Sequence, residues 1–282
     1  MTIPNFLLSS FFFYSDDDVT NVSQIINDLV NVLTNPTPPS PIVPQNPLWT
    51  LVSSTGTAPN YTAATFKSPV DSAGRFLVLT VTVVSTTALS WTVVDQNSVT
   101  VCSRGISIDG TPADTINYYT GQYHCFIEAL RSGTTPYYCA AMMIEPSPYA
   151  LGSLNSYVLG TGTGNSSGTF DGQVTVFDQW FAIENGVSTN RERVRSVGQS
   201  ISADVGLVDF QGNLQFFPMD ILILPSSKLV WGGRTYQTYV TDISVGTGSI
   251  KPVALDDSTV GTFRTTVAPV NGNDMRMMLR IA

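Results

Sequence analysis

The sequence predicts an all-β protein: β-sandwich or jelly-roll-like domains preceded by an N-terminal helical arm and a proline-rich spacer. Two observations carry this. From Leu48 onward, short runs rich in β-branched and aromatic residues alternate with Gly, Asn, Asp and Ser turn signals. No long helical period appears after residue 34, and many short strands with frequent turns favour sandwiches or jelly rolls over a parallel α/β sheet. A chain of 282 residues can hold one large domain or two ordinary ones. The expected division is an arm over 1–45, a β-sandwich over 46–148 and a second β domain over 149–282.

In the arm, an apolar segment from Phe6 to Tyr14 is followed by Ser15-Asp16-Asp17-Asp18, which reads as an N-cap and a negative first helical turn. Val19, Val22, Ile26, Leu29 and Leu33 then recur at spacings of 3, 4, 3 and 4, the a/d positions of a short coiled coil. Ile25 and Val30 widen the stripe enough for docking on a larger surface. The helix should stop before Pro36. Prolines at 36, 38, 39, 41, 44 and 47 predict an extended spacer. The five stripe residues are therefore the expected partner-binding set.

Further along, Arg75 to Val84 (RFLVLTVTVV) reads as a strand. Leu89–Val94 and Ser98–Cys102 read as a hairpin around Asp95-Gln96-Asn97, and Gln122–Leu130 and Tyr137–Ile144 as another around Arg131-Ser132-Gly133. Glu145-Pro146-Ser147-Pro148 marks the domain boundary. Strand-like runs continue at Val174–Ile183, Leu207–Phe210, Leu214–Phe217, Asp220–Leu224, Thr235–Ile243, Gly261–Val267 and Met275–Ile281. The stretch GTGTGNSSG from Gly160 reads as a surface loop, because it lacks the Gly-Lys-Ser/Thr ending of a phosphate-binding loop.

Charged residues make up only 12% of the chain, about half the usual share. The polar surface must then come from Ser, Thr, Asn, Gln and Gly, which suits lasting contact with other chains. A net charge of −8 argues against nucleic-acid binding, which needs a basic footprint. Arg191, Arg193 and Arg195 share one face of a strand and fit solvent or an acidic protein neighbour better. The apolar runs are too short for membrane insertion. The Met-Thr-Ile-Pro start, with no basic stretch before Phe6-Leu7-Leu8, predicts no secretory signal and synthesis in a reducing cytosol. The sequons at Asn21, Asn60 and Asn165 read as products of composition.

The chemistry-bearing residues point away from catalysis. His124 is the single histidine, and in a strand its side chain faces away from that of Cys125. No nucleophile motif, cofactor motif or metal-ligand spacing is present, so the catalytic, cofactor and metal sets are all empty. A carboxylate pair such as Asp178 and Glu184 is singled out by nothing. If Arg131-Ser132-Gly133 is a three-residue hairpin loop, Cys125 falls opposite Cys139 as a reduced pair. Cys102 stands apart.

An unprocessed Met1, the apolar arm from Phe6 to Leu33, the Pro36–Pro47 spacer and the Ser/Thr/Gly-rich β domains together resemble a tailed-bacteriophage virion structural protein of the head-decoration, head-spike or fibre type. The resemblance is one of organisation and composition, and it carries over no functional residue. It implies a non-enzymatic protein of the virion, assembled in the host cytoplasm. Such a protein would be a homo-oligomer, with a trimer expected, bound to the capsid or another virion protein through its arm. The other readings are a tail-fibre module that recognises host-surface glycan and a glycan-cleaving tailspike. Exposed Trp49, Trp91, Trp180 and Trp231 on an open face would favour the sugar readings.

Overall fold

The computed structural model describes residues 11–42, 47–70, 76–96, 98, 100–122, 124–130, 141–151, 154–160, 180–184, 187–189, 216–223, 230–242, 246, 248–254, 260–270 and 275–282. These residues are mostly strands in antiparallel sheets, with one helix among them, which is the all-β class expected. Leu207–Phe210, the loop after Gly160, Asp178, the three alternating arginines and Cys139 lie outside the described residues.

The described residues begin with β1 (Phe11–Val19) and α1 (Val22–Thr34). A five-stranded sheet follows in sequence order: β2 (Thr50–Thr55), β3 (Ala63–Lys67), β4 (Leu77–Ser85), β5 (Ala88–Asp95) and β6 (Thr100–Ser107). A second sheet contains β7 (Asp114–Gly121), β8 (His124–Leu130), β9 (Ala141–Leu151), β10 (Leu154–Gly160), β11 (Trp180–Glu184) and β12 (Val187–Thr189). It has seven strands because β1 returns to pair with β7. The third sheet has the order β13 (Phe216–Ile223), β14 (Val230–Asp242), β17 (Met275–Arg280), β16 (Val260–Val270) and β15 (Ile250–Ala254). The β5–β6 hairpin forms with Val93 opposite Cys102, but Asp95 belongs to β5 and β6 begins at Thr100, two residues later than expected.

Three expectations for the N-terminal region are corrected. Asp16, Asp17 and Asp18 belong to β1 and do not cap a helix. The N-cap is Asn21, whose side chain accepts from the Ser23 N–H at 3.0 Å while Gln24 accepts from the Asn21 N–H at 3.0 Å, a capping box. The proline-rich segment does not hold its ends apart as an extended spacer would. The Trp49 N–H donates to the Leu33 carbonyl at 2.9 Å, so the chain leaves the helix and comes straight back to it. The largest correction concerns the partner-binding set. Val19, Val22, Ile26, Leu29 and Leu33 are each 0% exposed inside the chain's own core. The helix touches β1 and β7 of one sheet and β2, β3 and β4 of another. One continuous cluster joins its side chains to Phe66, Leu79 and Trp91 on one side and to Ile116, Tyr118 and Ile127 on the other. Val19 ends β1 and is not on the helix; the other four form the stripe of α1, and the chain's own two sheets cover it.

The first sheet alternates cleanly. Ala64, Phe66, Leu79, Val81, Trp91 and Val93 face the core. On the opposite face the register aligns Ser53, Thr65, Thr80 and Thr92, one hydroxyl residue on each of β2 to β5. The Thr65 and Thr80 hydroxyls lie 3.2 Å apart. Between β6 and β7, Gly110 adopts φ +72, and a Cβ there would meet the Thr20 carbonyl oxygen at 2.5 Å. Glycine thus lets this turn close against the β1–α1 junction. The expected boundary at residue 148 falls within β9, and β10 to β12 continue the sheet that β1 and β7 begin.

Candidate functional site

Strand β7 is buried on both faces, and each face carries a cluster of polar side chains. Alternation assigns them. Ile116 and Tyr118 look toward α1, together with Ile127 and Ala129 of β8 opposite. Asn117 and Tyr119 look the other way, with Glu128 directly opposite Asn117.

On the helix face, the Tyr118 hydroxyl donates to Asp28 Oδ2 at 2.7 Å. Tyr14 of β1 stacks on Tyr118, with centroids 5.6 Å apart and planes 20° from parallel. Asp16, two residues along β1 on the same face, brings a second negative charge to bear on the Asp28 carboxyl. Burial is the main reason the Asp28 carboxyl is pushed up to about 7. The Asp16 charge adds to this, and the Tyr118 hydrogen bond pulls the other way. Tyr14 is pushed up to about 12, first by burial and then by Asp28, Asp16 and Asp17. Tyr118 is raised well above the ordinary phenol range, again by burial first and then by Asp28.

On the other face, Asn117 Nδ2 and the Tyr119 hydroxyl donate to Glu128 Oε2 at 3.0 and 3.1 Å. Arg264 of β16 donates to the Tyr119 hydroxyl and reaches the same carboxylate oxygen at 3.4 Å. Its guanidinium also lies 4.6 Å from the Phe13 ring centroid. Phe13 and Tyr119 meet at 5.1 Å. Burial, then the Glu128 charge, raises Tyr119 far above its usual value, with Arg264 opposing. Gly248, at φ +78, lets a turn pass beside this guanidinium, since a Cβ there would come within 3.1 Å of it. Residues distant in sequence therefore tie β1, β7, β8 and β16 together. Both arrangements fasten elements to one another.

The expected Cys125–Cys139 opposition does not form. Cys125 stands opposite Met142, three positions beyond the residue a three-residue loop would bring there. Cys125 is a free, fully buried thiol, and burial raises its pKa strongly. Peptide-resolved alkylation at pH 8 should therefore leave Cys125 unmodified in the native protein and modify it fully in denaturant. Native labelling at the rate of an exposed thiol would contradict this placement.

Of the four tryptophans, Trp49 and Trp91 are 2% and 0% exposed, and the Trp49 ring N–H donates to the Gly121 carbonyl at 3.0 Å. The side chains of Trp180 and Trp231 lie outside the described set. Among the described residues, no group of three or more His, Cys, Asp or Glu side chains is placed to share a metal ion. Likewise, no helix there is long and apolar enough to cross a membrane. Comparison with known protein families, with curated proteins and with solved structures returns no match. Sequence alone missed both clusters around β7. The one signal for either was a glutamate set among apolar residues in HCFIEAL.

Proposed function

We propose that this chain is a non-enzymatic structural component of a phage particle, a capsid-bound decoration or spike protein whose sheets pack as sandwich-like layers around α1. The observation that carries the reading is the outward face of the β2–β6 sheet. Its central row presents hydroxyl positions across β2 to β5, in a chain with only 12% charged residues. A face of this kind meets neighbouring protein with little charge desolvation. The buried carboxylates and tyrosines around β7 bind one another and serve the framework, which also favours a structural role.

Attachment and self-association, with a trimer still the expected state, run through β surfaces in this proposal, because the core occupies the α1 stripe. Burial of Trp49 and Trp91 takes two of the four candidate aromatics away from a sugar-binding face. The test is imaging of purified particles with this chain labelled, together with sedimentation of the isolated protein. Label at symmetric sites on the head is the expected result. Absence of the chain from purified particles would refute the assignment, and release of reducing ends from host polysaccharide would refute its non-enzymatic part.

A further inference from the structure

The Asp28 cluster has an unusual make-up: a carboxyl buried at a helix–sheet interface and hydrogen-bonded to Tyr118, with the Asp16 charge on the facing strand and, among the described residues, no basic group facing it. Asp28 is the only titratable residue on α1. Facing it from β1 are Tyr14 and Asp16, with Asp17 adding charge at the edge, and from β7 Tyr118. Neither β2 nor β4 carries a charged residue. The one cation on β3, Lys67, points outward, with its ammonium 3.8 Å from the Phe76 ring centroid. No Lys, Arg or His precedes Lys67 in the chain.

One Asp16 oxygen already accepts from the Asp18 N–H at 3.0 Å, and Asp28 Oδ2 accepts from Tyr118. Burial and the neighbouring negative charge of Asp16 both disfavour the ionised form of Asp28. With both ionised, like charges confront each other at a site where Asp28 is 6% exposed.

We propose that Asp28, Asp16 and Tyr118 form a proton-dependent latch that holds α1 and β1 against the sheet begun by β7 and loosens as the medium turns alkaline. The direction follows from proton counting. An opened or unfolded chain carries Asp28 in the ordinary range near 4, whereas in the closed state it titrates at about 7. Between these values the closed state holds a proton that the open state lacks. The latch is therefore strongest below about pH 4, weakens as pH rises, and stops changing above the closed-state value of about 7. From pH 5.5 to 8.5 this single group changes the opening equilibrium by roughly 30-fold.

The experiment is amide hydrogen exchange of the full chain at pH 5.5 and 8.5, corrected for intrinsic rates and read over β1 and α1. The wild type should lose protection there by at least about tenfold at the higher pH. Asp28→Asn keeps a partner for Tyr118 and should flatten that change. Tyr118→Phe removes the hydrogen bond that lowers the Asp28 pKa, so it should move the transition to higher pH. If Asp28→Asn fails to fold, Asp16→Asn removes the neighbouring charge while the burial of Asp28 remains, so it should move the transition to lower pH and reduce the change. Wild-type protection that is unchanged across this range would overturn the latch. So would a folded Asp28→Asn variant that keeps the wild-type pH dependence.

Discussion

Deleting residues 1–45 is expected to abolish cooperative folding of the two sheets that α1 joins. Val19, Val22, Ile25, Ile26, Leu29, Val32 and Leu33 are each at most 2% exposed, and all but Val32 belong to the one cluster shared by both sheets. Burial contributes about 1.5–3 kcal/mol per large aliphatic side chain, hence roughly 10–20 kcal/mol gross for the seven. A whole domain is stable by only about 5–15 kcal/mol. The deletion also removes β1, the partner of β7, and the donor to the Thr86 carbonyl from the Val22 N–H at 3.0 Å. Point changes grade the effect. Leu29→Ala or Ile26→Ala should each lower stability by about 2–5 kcal/mol through loss of burial and the cavity left behind. Near-ultraviolet circular dichroism and thermal melting provide the check. A deletion chain that melts cooperatively with native aromatic signals would show that the sheets close without the helix.

The same segment shows what a sequence can and cannot disclose. The 3-4-3-4 spacing from Val19 to Leu33 and the stop before Pro36 are local signals, and a helix formed from Val22 to Thr34, with Val19 left at the end of β1. What covers its stripe is not local, because an amphipathic face reads the same whether a partner or the chain's own sheets bury it. Ile25 and Val30 already hinted at the broader surface. Ser15-Asp16-Asp17-Asp18 reads as a helix start through its acidic residues, yet Asn21 with Gln24 three positions on was the stronger signature. Strand β7 escaped notice because burial on both faces erases the period-two alternation that marks a strand. Cys125 was misplaced because a register rests on loop length, and every residue of error moves the opposing partner.

Arg264→Met is expected to lower stability by about 3 kcal/mol, because it leaves the Glu128 carboxylate without that guanidinium while 1% exposed. Glu128→Gln should be milder. A glutamine oxygen still accepts from Asn117 and Tyr119, and Arg264, 14% exposed, still reaches Tyr119 and the Phe13 ring. No local pattern announces this pair, which lies 136 positions apart in the chain. Its strength follows from geometry, since one carboxylate oxygen collects donors from β7 and β16 in a site closed to water. The double variant Glu128→Gln/Arg264→Met removes both charges together, so it should be more stable than the sum of the two single losses predicts, by about 1–3 kcal/mol. Denaturant titration of the four proteins measures that difference. Strict additivity, or single losses below about 0.5 kcal/mol, would mean that Arg264 and Glu128 meet without holding β16 to β8.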